Sequence, residues 1–153
     1  MMKNGVVLVC VTPQQSGRHL IACGRRFADE YGCTLRILSV LPQRQCFAPD
    51  LSVLESLNEA AHESGAEMTV CFSDSPAEKV REILRETNVE MLIAGFPGKH
   101  STHFLQSLHE KAPEIPLWLV DSDGAAYTIG HAVQQSVQTD GTFQVVLQGK
   151  RTV

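Results

Sequence analysis

The sequence lacks the features that mark membrane proteins and disulfide-rich secreted proteins. No apolar run approaches the roughly 20 residues of a membrane span, and the apolar opening, Val6 to Val11, is too short for the core of a signal peptide. The five cysteines show no Cys-x-x-Cys spacing, and an odd number of dispersed thiols indicates a reducing compartment. We therefore expect a cytoplasmic protein with no membrane segment.

Positive charge is too sparse and too scattered for a nucleic-acid binder. The 13 Lys and Arg residues are outnumbered by 17 Asp and Glu, which gives a formal net charge of −4. A protein that binds nucleic acid by neutralising many phosphates needs the opposite balance. What is present, 43% hydrophobic and 20% charged residues over 153 positions, is typical of one soluble domain with a single core.

Strand-like apolar runs alternate with helical periodicity over the first 120 residues. Strands are predicted at 5–11, 34–41, 67–72, 89–95 and 115–120, with helices between them. Three helix ends join the next strand directly, at Gly32-Cys33, Gly65-Ala66 and Asn88-Val89, with left-handed caps at the first residue of each pair. A Ser75-to-Glu78 capping box begins the third helix. Strand–helix alternation of this kind predicts right-handed βαβ crossovers.

The predicted fold is α/β: a doubly wound, Rossmann-like, five-stranded parallel sheet of order 3-2-1-4-5, in a domain at 6–121. The extension at 122–153 departs from this pattern. Asp140-Gly141 lies between two possible strands, at 132–137 and 142–147, and favours a hairpin. Such a hairpin either covers an edge of the sheet or pairs with a second subunit.

The segment from Val89 to His103 carries the strongest functional signal. An apolar run stops at Gly95, a second glycine follows at Gly98, and Lys99 to Thr102 precede a new amphipathic stretch. A strand that turns onto a helix N-terminus presents free N–H groups and the positive end of the helix dipole, which suits phosphate. The alternative is a turn that needs glycine only for its backbone angles.

Several segments also resemble a known family. They are the first strand, the helix entry at 16–20, the strand at 66–72, the helix entry at 74–80, and 88–95. From Val6 to about Asp121 the chain resembles the universal stress protein domain, and most closely the version within sensor kinases of bacterial potassium-transport systems. The resemblance implies a five-stranded parallel sheet, homodimers and, in one branch, ATP or another adenine nucleotide at the strand ends.

The nucleotide motif of that branch is Gly-x-x-Gly, nine residues, then Gly-Ser or Gly-Thr. Gly95 and Gly98 match its first half, whereas Leu108-His109 stand at the second, and Thr12-Pro13 replace the usual acidic residue. The ligands to consider are ATP, AMP and cyclic di-AMP. The site residues that follow from the motif and the resemblance are Thr12, Val40, Gly95, Gly98, Lys99, His100, Ser101 and Thr102.

No catalytic residue and no metal site is predicted. The spacing around Gly98-Lys99 does not fit a P-loop, no Gly-x-Ser-x-Gly frames a nucleophile, and His100, His103 and His109 have no carboxylate or thiol fixed beside them. We expect a non-enzymatic regulatory module in stress or ion-homeostasis signalling, a homodimer with a signalling protein as partner. The alternative is a ligand-free dimerisation or interaction module that has lost the nucleotide site.

Overall fold

The computed structural model describes residues 5–12, 17–43, 50–95, 103–121, 124–129 and 147–152. The strands in these ranges are β1 (Val6–Cys10), β2 (Thr34–Leu41), β3 (Glu67–Phe72), β4 (Val89–Gly95), β5 (Leu117–Val120), β6 (Ala125–Ile129) and β7 (Leu147–Thr152). The helices are α1 (Gly17–Tyr31), α2 (Leu51–Glu63), α3 (Pro76–Glu86) and α4 (His103–Lys111). None of these helices is long and apolar enough to cross a membrane.

All the strands belong to one sheet, in the order β3-β2-β1-β4-β5-β6-β7. The first five are parallel to one another, which confirms the predicted doubly wound fold and the order 3-2-1-4-5. The chain therefore winds outward from β1 in one direction and then returns to β4 on its other side. The direction of winding reverses between β1 and β4, and this is where parallel sheets of this type bind ligands.

Both faces of the sheet are covered, which is why its central strands are apolar at successive positions. On one face Val7 and Val9 pack in a core with α1 and α2, which contribute Phe27 and Leu57. Leu8, between them in β1, points to the other face and packs in a core with α3 and α4. Because side chains alternate along each strand, the apolar residues are divided between two cores, one on each side of the sheet.

The helix ends follow the sequence predictions only in part. Gly32 and Gly65 have φ values of +66° and +67°, as predicted. The prediction of a left-handed cap at Asn88 is wrong, because no described residue other than glycine has a positive φ. The helix α3 ends instead at Thr87, which has an extended backbone. The prediction of a capping box at the start of α3 is wrong as well. Ser75 makes no side-chain cap hydrogen bond, and the Glu78 carboxylate accepts a hydrogen bond from Lys111 on α4.

The extension adds two antiparallel strands to the sheet. β6 pairs with β5, and β7 pairs with β6, so the outer edge of β5 is covered by the chain itself. The residues paired are Ala125–Ile129 and Leu147–Thr152. The predicted strand at 132–137, and all of the predicted strand at 142–147 except Leu147, lie outside the described residues. An antiparallel pair is present, but it joins segments that are further apart in the sequence than a hairpin around Asp140-Gly141.

Candidate functional site

The carboxyl ends of β1, β2 and β4 lie side by side at the reversal of the sheet. Cys10 pairs with Leu38 on β2, and Val9 pairs with Ile93 on β4. Continuing both registers along the chain places Thr12 level with Val40 and one residue beyond the level of Gly95. Three of the predicted site residues therefore lie within one residue of the same height at the same edge.

These three residues differ in how far they are exposed to solvent. The N–H of Val11 donates to the Leu38 carbonyl at 2.9 Å, which holds the chain in register up to Thr12. Thr12 is exposed, whereas Val40 and Gly95 are half-buried. Neighbouring strands are about 5 Å apart, so Val40 and Gly95 flank a span of roughly 10 Å above the end of β1.

Gly95 has an ordinary backbone conformation and room for a side chain. Its φ is not positive, unlike those of Gly32, Gly65 and Gly124. A Cβ at this position would lie 3.4 Å from Cδ1 of Leu20 on α1, which is an ordinary van der Waals contact. The alternative interpretation, a glycine needed only for its backbone angles, is therefore wrong for Gly95. Gly98 lies outside the described residues.

The other predicted phosphate ligands, Lys99, His100, Ser101 and Thr102, also lie outside the described residues, so their roles stay predictions. Of the remaining histidines weighed as metal ligands, His103 begins α4 and His109 is buried, with 5% of its surface exposed. Within the described ranges, no three His, Cys, Asp or Glu side chains are grouped so as to hold a metal ion.

Two polar side chains next to this edge were missed by sequence reasoning. Ser39 is fully buried, and its hydroxyl has no hydrogen-bond partner in the described part of the chain. Burial raises the pKa of the Cys10 thiol to about 12, so the sulfur stays protonated and is a poor nucleophile at neutral pH. The sequence signal that could have revealed Ser39 is a lone serine within an apolar strand.

A concavity lies between α3 and α4, away from this edge. Its volume is about 290 Å³, and its wall includes Asp74, Phe104 and Ser107. The Lys111 ammonium pairs with the Glu78 carboxylate across it and, by donating a hydrogen bond, lowers the pKa of Glu78. This pair cancels the charge that each group alone would offer to a ligand. The groove is therefore a weaker candidate for phosphate than the sheet edge.

Comparison with known proteins identifies the fold. No family model and no curated protein matches the sequence. Among solved structures, a universal stress protein in complex with cAMP is 16% identical, with a TM-score of 0.60 over 78% of this chain and 98% of that one. The universal stress protein from Archaeoglobus fulgidus in complex with dAMP is 12% identical, with a TM-score of 0.56 over 78% and 98%.

A third structure, a universal stress family protein from Burkholderia pseudomallei, is 12% identical, with a TM-score of 0.54 over 76% of this chain and 95% of that one. These matches cover nearly all of the other proteins and leave about a fifth of this chain unmatched. At this level of identity the matches establish the fold and not the ligand. The chain has the α/β fold of the universal stress proteins.

Proposed function

We propose that this protein is a non-enzymatic regulatory module that binds an adenine nucleotide at the β1–β4 edge of its sheet. The observation that carries the proposal is that Thr12, Val40 and Gly95 lie within one residue of the same level at the reversal of strand order. Two solved proteins of the same fold are complexes with adenine nucleotides, cAMP and dAMP. Their complexes support an adenine nucleotide as the ligand class to test first.

Each part of the edge has a role in this proposal. Val40 offers an apolar surface for the base, and Thr12 offers a hydroxyl for the base or the sugar. We assign the phosphate ligands to the sequence that follows Gly95, with Lys99 as the charge and Ser101 as a hydroxyl donor. Lys111 in the α3–α4 groove is already paired with Glu78. We therefore expect the phosphate to bind at the residues after Gly95 and not in the α3–α4 groove.

The proposal includes the finer features expected from the resemblance. The module acts as a homodimer in the cytoplasm, in stress or ion-homeostasis signalling, like the related domain of potassium-system sensor kinases. Its ligand is AMP or ATP, with cyclic di-AMP as the further ligand to test. The competing function is a ligand-free interaction module, which the missing second half of the nucleotide motif favours.

Thermal unfolding with and without each nucleotide tests the proposal. A ligand held at about a hundred times its dissociation constant adds roughly 2.7 kcal/mol to the free energy of unfolding. For a domain of this size the melting temperature rises by about 5–10 °C. ATP, ADP, AMP, cAMP and cyclic di-AMP are compared at equal concentrations.

Two lysine variants locate the binding. Lys99→Ala should abolish the rise in melting temperature, whereas Lys111→Ala, which removes a lysine from the α3–α4 groove, should preserve it. The opposite pattern would place the nucleotide in that groove and overturn the proposed site. No rise with any nucleotide would favour the ligand-free interaction module.

A further inference from the structure

One end strand of the sheet has little protection against pairing. β3 is this strand, and no described strand pairs with its outer edge. Lysine, other charged residues and proline discourage pairing at the edge of a sheet. β3 has a single charge, at its first residue Glu67, and neither lysine nor proline. Its edge is therefore open to another strand.

Exposed apolar side chains are concentrated beside this edge. Of the four large apolar residues exposed in the described ranges, three are Leu51, Val70 and Phe72, with exposed fractions of 67%, 39% and 52%. A groove of about 260 Å³ runs between α2 and β3 and is lined by Leu51, Leu54, Glu55, Asn58, Met68 and Val70. A single exposed apolar side chain is ordinary, but a cluster along an open strand indicates an interaction surface.

The hydrogen-bonding groups of β3 define which residues face outward. The N–H of Ser73 donates to the Leu41 carbonyl at 2.8 Å, so Ser73 points its backbone groups towards β2. Backbone groups of alternate residues in a strand point to opposite sides. Met68, Val70 and Phe72 therefore direct their N–H and C=O groups away from β2, to the open edge.

The side chains of these three residues share one face of the sheet. Met68 packs against the core formed by α1 and α2, whereas Cys71 packs against the opposite core. Because side chains alternate along a strand, Val70 and Phe72 lie on the same face as Met68, next to the groove. The open edge thus combines unpaired backbone groups with an apolar groove and an apolar side chain, Phe72, that is half exposed.

We propose that two copies of this chain associate through antiparallel pairing of their β3 strands, with Val70 facing Val70 on the two-fold axis. In this register Met68 of each copy faces Phe72 of the other, and each of the three facing pairs exchanges two backbone hydrogen bonds. Residues that face each other in an antiparallel pair have side chains on the same face. Phe72 of one copy therefore enters the α2–β3 groove of the other.

Self-complementarity favours a second copy over a different partner. Each copy offers one aromatic side chain and one groove, which is the requirement for an isologous two-fold interface. Glu67, the only charge on β3, faces the uncharged Ser73, so no like charges oppose each other along the strand. A six-residue strand pair with one aromatic anchor per copy is small, and we expect a dissociation constant of about 1–100 µM.

The proposal deepens the homodimer of the proposed function by naming its surface, and it does not depend on nucleotide binding. Analytical ultracentrifugation of the full chain, from about 1 to 300 µM, should show a reversible monomer–dimer equilibrium. Val70→Lys places two positive charges together on the axis and should raise the dissociation constant at least about a hundredfold. Tyr31→Lys, a substitution at an equally exposed residue on α1 (39%), should leave it unchanged.

Mixing charge variants tests the two-fold relation itself. Val70→Lys and Val70→Glu should each be monomeric alone, and their mixture should form a heterodimer because the two charges then attract. Phe72→Ser, which removes the aromatic side chain without adding charge, gives a second and independent weakening. Circular dichroism and nucleotide binding should be unchanged in all three variants, which separates a failure of this proposal from a failure of the nucleotide proposal.

The contradicting results are specific. A wild-type protein that remains monomeric throughout the range overturns the proposal and favours a different protein as the partner of β3. A dimer that Val70→Lys leaves intact overturns it in favour of another surface. Assemblies that grow beyond the dimer overturn it in favour of head-to-tail pairing between β3 and β7.

Discussion

The indole of Trp118 on β5 packs against the ring of Phe27 on α1, with centroids 5.2 Å apart and ring planes tilted by 44°. Phe27 is completely buried, and its ring also stacks on Tyr31, with 6.4 Å between the ring centroids. Trp118 is the only tryptophan in the chain. Its fluorescence therefore reports directly on the packing of α1 against the sheet.

Truncation of Phe27 should destabilise the whole domain. Phe27→Ala removes a fully buried ring and should lower the free energy of unfolding by about 3–5 kcal/mol. Urea unfolding followed by Trp118 fluorescence measures the change. Tyr31→Ala, at the exposed end of the same aromatic stack, should cost less than half as much. Equal costs at both positions would contradict the packing described.

Gly24 allows α1 to lie close to β1, and even a methyl group should disturb this contact. A Cβ at Gly24 would lie 2.4 Å from Cγ2 of Val9 and 2.9 Å from Cδ1 of Leu35. Overpacking of this kind costs about 1–3 kcal/mol, which outweighs the gain of about 1 kcal/mol from replacing a helical glycine by alanine. We expect Gly24→Ala to be less stable than the wild type in urea unfolding.

Gly32→Ala provides the matched control for Gly24. Its φ is +66°, and nothing lies within 4 Å of an added Cβ, so the cost comes from the backbone conformation alone. That cost is about 1–2 kcal/mol. A Gly24→Ala variant that is more stable than the wild type would show that α1 can shift away from β1.

Ser39 should be dispensable for stability. Its buried hydroxyl lacks a partner among the described residues, so Ser39→Ala should leave the free energy of unfolding unchanged or raise it by up to about 1 kcal/mol. Ser56→Ala is the matched control, because the Ser56 hydroxyl accepts a hydrogen bond from Arg18 at 2.6 Å. It should lower stability by about 0.5–1 kcal/mol. A clear loss at Ser39 would mean that its hydroxyl has a partner in the folded protein.

Alkaline pH should destabilise the protein through Cys10. Burial raises the pKa of this thiol from an ordinary 9.0 to about 12 in the folded state. The unfolded state therefore loses its proton first, and the stabilisation that is complete below about pH 9 is lost as the pH rises towards 12. By pH 10.5 the free energy of unfolding should fall by roughly 1–2 kcal/mol from this group.

The Cys10→Ala variant isolates that contribution from the titration of tyrosine and lysine. Unfolding free energies of both proteins are measured from pH 7 to about 10.5, and the wild type should show the steeper decline. Parallel declines in the two proteins would contradict a buried, protonated thiol at the end of β1.

The parallel core of the fold was predictable because its signals are local. Apolar runs such as Thr34–Leu41 and Glu67–Phe72 identify strands, and Gly32 and Gly65 mark the helix ends from their immediate neighbours in the sequence. The alternation of strands and helices then leaves few topologies, since βαβ crossovers are almost always right-handed. The strand order 3-2-1-4-5 is one of these few.

The features that the sequence did not predict depend on contacts between distant residues. Glu78 was expected to cap α3, but Lys111, 33 positions away, binds its carboxylate. β6 contains two alanines, which do not favour a strand by themselves. It forms a strand because it pairs with β5 and with β7, and β7 is separated from it by a long segment of sequence.

Nitrogen-15 NMR of the protein titrated with AMP is the most direct test of a nucleotide site at the β1–β4 edge. The account predicts saturable shifts of the amides of Thr12, Val40 and Gly95, with those of Glu78 and Lys111 in the α3–α4 groove unchanged. Shifts confined to the groove residues, or the absence of any saturable shift with AMP, ATP or cyclic di-AMP, would contradict it.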